Sequence, residues 1–187
     1  MSEKASRIKL VRPNIATTNI HIKGLTSLIT NRRTPEKIEK KTTREKDEDK
    51  IFQSCLYPKI DGKYSFPATG LKRCAIDTAH TFVENIPKTK VRGAFFIPID
   101  YIQIIGDDPI VRKDVVTVNR KSAIERIRAE FVNWEMIFPI QYDTNGVLSI
   151  EIIINLFATA GNCVGIGDWR PSCNGTHGRF EIVGKNK

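Results

Sequence analysis

Two helix-like spans set among four strand-like runs predict an α+β fold for this chain. The order read along the sequence is strand, helix, strand, strand, helix, strand, the split βαβ arrangement of a ferredoxin-like (RRM-like) domain with its helices on one sheet face. Three observations carry the prediction. Residues 19–25 alternate around Ile20 and Ile22, apolar residues recur at helical spacing from Leu71, and an almost wholly apolar run starts at Ile150. Such a sheet leaves its second face open. With 187 residues, 40% of them hydrophobic, residues 1–187 are expected to form a single domain with a real core.

The first strand is expected over Asn19–Leu25, with His21 and Lys23 between the two isoleucines and Gly24 as a possible bulge. The segment Thr30–Lys50 follows. It holds eight basic and six acidic residues and nothing apolar apart from Ile38. It cannot bury a face, so a flexible charged arm is expected at about residues 30–52, either a disordered loop or a lid over a ligand. Pro67 then keeps the chain extended ahead of a helix over Leu71–Val83, with Thr69 as its expected cap and Leu71, Ala75, Thr78, Ala79 and Phe82 on one face. Gly93–Ile105, rich in Phe, Ile and Tyr, reads as a strand. Ile110–Lys121 reads as a short hairpin or loop. Ile127–Tyr142 reads as one long strand bent at or before Pro139, with Trp134 in the core. Ser149 is expected to cap a buried second helix over Ile150–Ala160, which Gly161 ends, and Gly178–Val183 makes the last strand.

A formal charge of +9 points to an acidic partner, nucleic acid first, against the alternative of a basic surface that serves solubility alone. Five glycines fall within the 18 residues Gly161–Gly178, and the same loop carries Trp169 and Arg170, with Arg179 just beyond. Such a loop can wrap closely around a phosphate. Trp169 reads equally as a base-stacking residue or as packing under the loop. Lys72 and Arg73, near the start of the first helix, oppose the helix dipole. They read as phosphate-binding cations at a helix N-terminus or as two solvated side chains. Gly165-Ile166-Gly167 follows a helix and lacks a Gly-Lys-Ser/Thr ending, which argues against dinucleotide and P-loop sites.

Two of these motifs occur in an order that resembles a known group. Phe66-Pro67-Ala68-Thr69-Gly70-Leu71-Lys72 resembles the "Pro, small, small, small, Leu, Lys" lead into the first helix of the RAMP superfamily, the repeat-associated RNA-binding proteins of CRISPR effector complexes. The loop from Gly165 to Gly178 resembles that superfamily's glycine-rich loop, and the charged arm falls where the backbone subunits carry a thumb-like insertion. Trp169-Arg170-Pro171 and Gly178-Arg179-Phe180 also resemble small proteins of phages and mobile elements. The resemblance implies a sequence-independent single-stranded RNA-binding subunit (DNA remaining open) that assembles repeatedly along a guide-like RNA. Its RNA-binding residues would be Thr69, Lys72, Arg73, Gly165, Gly167, Trp169, Arg170 and Arg179. The alternatives are a phage structural or assembly protein with a basic surface, and a metal-independent endoribonuclease of RAMP type.

For catalysis the resemblance points to a histidine, among His21, His80 and His177, of which His177 in the glycine loop is best placed, or to an aspartate of the arm, Asp47 or Asp49. A non-enzymatic binding role is favoured. No cofactor is implied. The cysteines Cys55, Cys74, Cys163 and Cys173 lack C-x-x-C spacing, and the pair Cys173 and His177 has no further ligands to complete a zinc site. No signal-like start or membrane-length apolar run is visible, so a cytoplasmic protein is expected.

Overall fold

Apolar residues on alternate positions build the central strands. The computed structural model describes residues 12–32, 48–79, 81–83, 85–118 and 122–184. Strand β1 (Ile15–Gly24) buries Ile20 and Ile22 and turns His21 and Lys23 to the other side. Next come β2 (Leu28–Thr30), α1 (Glu48–Cys55), β3 (Ser65–Pro67), α2 (Ala68–Thr78), α3 (Lys88–Ala94), β4 (Phe95–Phe96), β5 (Tyr101–Gln103) and β6 (Ile105–Gly106). The chain ends with β7 (Ile110–Val118), β8 (Ser122–Phe131), β9 (Trp134–Asp143), α4 (Ile150–Cys163), a 3-10 turn at Pro171–Cys173, and β10 (Phe180–Ile182). The fold is α+β with antiparallel sheets.

The main sheet has the order β10-β1-β9-β4, and β6 also pairs with β9. Within it Ile20 lies opposite Phe138, and Ile22 opposite Met136 and Ile182. A second sheet has the order β2-β8-β7, and β3 pairs with β5. Helix α4 covers the face that carries Ile20 and Phe138: Phe157 packs edge-on between Phe138 (5.6 Å) and Phe95 (5.4 Å). Helix α2 packs beside α4. The opposite sheet face is open. It holds Ile137, 48% exposed, and the His21 Nε2–Glu135 Oε2 pair at 2.7 Å.

Several local expectations are corrected. The run 127–142 is two strands in two sheets, divided at Val132–Asn133. The buried positions change parity there, from Ile127, Ala129 and Phe131 to Trp134, Met136, Phe138 and Ile140. A single strand cannot turn both sets to one side. Pro139 sits inside β9, between the stretches paired with β4 and β6, and does not break it. The hairpin expected over Ile110–Lys121 is longer: β7 pairs with β8 from Ile110↔Glu130 to Val118↔Ser122. Gly93 belongs to α3, and Gly93–Ile105 yields only the short strands β4, β5 and β6, because Pro98 supplies no ladder N–H.

Helix α2 starts at Ala68 behind Pro67, so Thr69 lies in its first turn and does not cap it. Lys72 and Arg73 are therefore in the second turn, where the dipole conflict is weaker. Gly161 does not end α4. A Cβ there would lie 2.1 Å from the Phe180 carbonyl oxygen, so glycine lets the helix approach β10. Ser149 does cap α4, its hydroxyl accepting from the Ile152 amide at 3.5 Å. Of the expected arm, Thr30 closes β2 and residues 48–52 open α1. Residues 33–47, and with them Asp47, lie outside the described residues, as does His80. No helix among the described residues is long and apolar enough to cross a membrane.

Candidate functional site

The start of α2 and the glycine loop are more than 90 residues apart in sequence, yet they line one groove. Its volume is about 920 Å³. Thr69, Lys72 and Arg73 stand on the helix side, and Gly165, Gly167 and Arg170 on the loop side. Arg32 adds a cation, and Tyr57, Phe66 and Tyr101 form an aromatic wall. Helix α2 has no side-chain cap. The first-turn amides at Thr69 and Gly70 therefore have no intrahelical acceptor and give this side positive character.

The loop's course is set by backbone bonds. Ile166 N donates to Gly178 O (3.0 Å), Gly178 N to Ser27 O (2.8 Å) and Asp168 N to Ile29 O (2.8 Å). Gly167 sits at φ +77°, and a Cβ there would lie 2.4 Å from Ile29 O, so this position needs glycine. Arg170 Nη1 donates to Gly167 O at 2.9 Å, which folds the guanidinium back over the loop.

Cations outweigh the acids that reach the groove. Asp77 is tied to Arg73 (2.7 Å) and Lys88 (3.6 Å). Asp168 is tied to Arg128 (3.1 Å) and Asn31 (3.2 Å). Lys72 Nζ lies 4.5 Å from the Phe96 ring centroid, and partial burial lowers its pKa from the ordinary lysine value. Burial pushes the Cys74 thiol far up, the nearby Arg170 charge opposing it only in part, so Cys74 stays protonated under the groove. Thr30 also lines the groove, and its hydroxyl is buried without a hydrogen-bond partner among the described residues.

Other sequence-predicted residues fall elsewhere. Trp169, at φ +54°, is 36% exposed, and its ring meets the guanidinium carbons of Arg112 (5.4 Å) and Arg128 (5.2 Å). Its face is thus taken up on the side of the β2-β8-β7 sheet, and it does not line the groove. Arg179 donates its side chain to Asn162 and its amide to Thr26 Oγ1 (3.0 Å), also away from the groove. His177 Nδ1 is 3.0 Å from Ser27 Oγ, next to Trp169. His21 pairs with Glu135 on the open face. Asp49 lies in the first turn of α1. Among the described residues no three His, Cys, Asp or Glu side chains are grouped to hold a metal ion.

An ion network that the sequence reading did not identify holds the loop to the β7–β8 hairpin. Arg128, 7% exposed, donates Nη1 to Asp114 (2.9 Å) and Nε to Asp168 (3.1 Å). Arg112 reaches Asp114 (3.0 Å) and Glu130 (3.1 Å), and Ser27 donates to Glu130. Burial opposes the charge on Arg112, but the two carboxylates outweigh it and raise its pKa. Arg112 and Arg128 are directly cross-strand. Two like charges on facing positions of a hairpin need shared carboxylates, and that was the available sequence signal.

Fold and groove define an α+β protein with a cationic, partly aromatic cleft between a helix start and a glycine loop. No protein-family model matches the sequence, and no curated protein matches it. Among solved structures the chain is similar to Cmr6 from Pyrococcus furiosus, at 11% identity and a TM-score of 0.49, covering 91% of this chain and 98% of that one. It is also similar to a chain of a CRISPR RNA-guided surveillance complex, at 10% identity and a TM-score of 0.39, covering 88% of this chain and 66% of that one.

Proposed function

We propose that this chain binds single-stranded RNA without regard to sequence, as a repeated subunit along it in a ribonucleoprotein, with the strand's phosphates in the groove. One observation carries the reading: Thr69, Lys72, Arg73, Gly165, Gly167 and Arg170, taken from two distant motifs, line a single cleft whose acids are already paired. Cations and backbone amides recognise a sugar–phosphate chain by charge and shape, which is recognition without sequence. A ferredoxin-like assignment of the main sheet is supported by its antiparallel order, last strand, first, third, second, with α2 and α4 in the two crossovers.

The test is a fluorescence-anisotropy titration of a labelled mixed-sequence RNA at several salt concentrations. Four groove cations, Arg32, Lys72, Arg73 and Arg170, predict a log–log salt slope of about −3, at ~0.7 per contact for a single strand. Lys72→Glu with Arg170→Glu should weaken binding at least tenfold and flatten the slope by about half. Unchanged affinity in a folded double variant refutes the assignment of this groove.

A further inference from the structure

We infer that Tyr101, in the aromatic wall of this groove, is a stacking surface for one unpaired nucleobase, with Tyr57 inclined beside it. The inference rests on the proposed RNA-binding role and adds what part of the nucleotide the groove takes. Tyr57 and Tyr101 both line the cleft. Their ring centroids are 6.3 Å apart and the planes are inclined at 46°, while Tyr57 meets Phe66 edge-on at 5.8 Å and 73°. Tyr101 is therefore not stacked face to face on Tyr57. Both are half-buried, whereas Phe66 is only 4% exposed and packs edge-on against Tyr57.

The stacking surface is fixed by its surroundings. Tyr101 lies in β5 opposite Pro67 of β3, and Phe66 is opposite Ile102. A Cβ at residue 70 would sit 2.7 Å from Phe66 Cε1, so Gly70 lets that ring lie against the first turn of α2. The same turn carries Thr69 and leads to Lys72 and Arg73. Cationic phosphate contacts thus begin within one helical turn of the aromatic rings. A small anion would need only the charge. A duplex keeps its bases stacked and paired. A single-stranded nucleotide has both a phosphate and an exposed π-face, and it matches both walls.

The test compares a ten-nucleotide RNA with an abasic sugar–phosphate strand of equal length by anisotropy at one salt concentration. The wild-type protein should bind the base-bearing strand about tenfold or more tightly, the scale of one stacked base. Tyr101→Leu keeps bulk without a π-face. It should lose about tenfold on the RNA and nothing on the abasic strand, and Tyr101→Trp should retain the preference. Lys72→Gln should weaken both strands alike. Equal wild-type affinity for the two strands, or an equal loss on both in Tyr101→Leu, overturns the stacking surface and leaves the phosphate groove standing. No binding of either strand overturns both readings. Tyr101→Met provides the same comparison if Tyr101→Leu melts below the assay temperature.

Discussion

Arg128 is the charged side chain that the glycine loop and the β7–β8 hairpin share. Its guanidinium bridges Asp114 and Asp168 and stands 5.2 Å from the Trp169 ring centroid. Arg128→Met keeps an unbranched apolar stem and deletes both charge-assisted bonds. Breaking a buried pair from one side costs about 3–5 kcal/mol, because the remaining charge stays desolvated. Asp114, with a side chain 10% exposed, keeps Arg112 at 3.0 Å, and the Asp168 side chain is 36% exposed and can regain water. Both facts favour the lower end, about 3 kcal/mol. At 2–4 °C per kcal/mol for a chain of this length, the Tm should fall by about 6–12 °C.

Urea unfolding should show a lower midpoint at an unchanged m-value. Arg128→Lys should recover less than half of the loss, since one ammonium cannot serve two carboxylates in a fork. A double-mutant cycle with Asp168→Asn should give a coupling of about 1–3 kcal/mol. If Arg128→Met melts within 2 °C of the parent (under ~1 kcal/mol) and the cycle shows no coupling, the network does not tie the glycine loop to the hairpin, and the reasoning fails.

The remaining predictions concern the loop, the open face and the thiols. Gly167→Ala must adopt φ +77° and move Ile29 away, so it should cost about 1–3 kcal/mol in urea unfolding and weaken RNA binding; a neutral effect would mean the loop does not need this close approach. On the open face, the hydrogen bond from His21, with the Lys23 charge, holds the Glu135 carboxyl below its ordinary value of 4.5. A depressed folded pKa gives stability that is complete above the unfolded value and is lost as pH falls through the folded one. The wild type should therefore exceed Glu135→Gln by under about 1 kcal/mol at neutral pH, and the gap should close below pH 4.5; a gap that widens on acidification contradicts the pairing. Cys173 is exposed and Cys74 buried with a raised pKa, so a thiol reagent followed by mass spectrometry should label Cys173 in the native protein and Cys74 only on unfolding.

Much of the architecture was legible in local pattern. Ile20 and Ile22 marked β1, the Leu71 and Ile150 runs marked the two main helices, and Ser149 marked its cap. The misread segments have particular causes. Residues 127–142 carry apolar side chains along their whole length with no glycine among them, and only a parity change at Val132–Asn133 separates two strands. Gly161 resembles a helix terminator in sequence, because nothing local indicates that Phe180 will lie against it. Trp169 and Arg170 are adjacent, yet one meets the arginines of the hairpin and the other folds over the groove. A loop with positive-φ residues turns neighbouring side chains to different sides, and sequence does not give those angles.

By itself the sequence determined the α+β class, the excess of cations, and which two motifs carry the candidate phosphate-binding residues. The class and the charge follow from periodicity and composition, which are local properties of the chain, and the pairing of the two motifs from their resemblance to a known superfamily. Only the tertiary structure decided that the motifs share a cleft, that Tyr57 and Tyr101 stand beside them, and that Arg128 anchors the loop through Asp168. Those are contacts between residues far apart in sequence. They depend on sheet order and helix packing, which no short window of residues encodes.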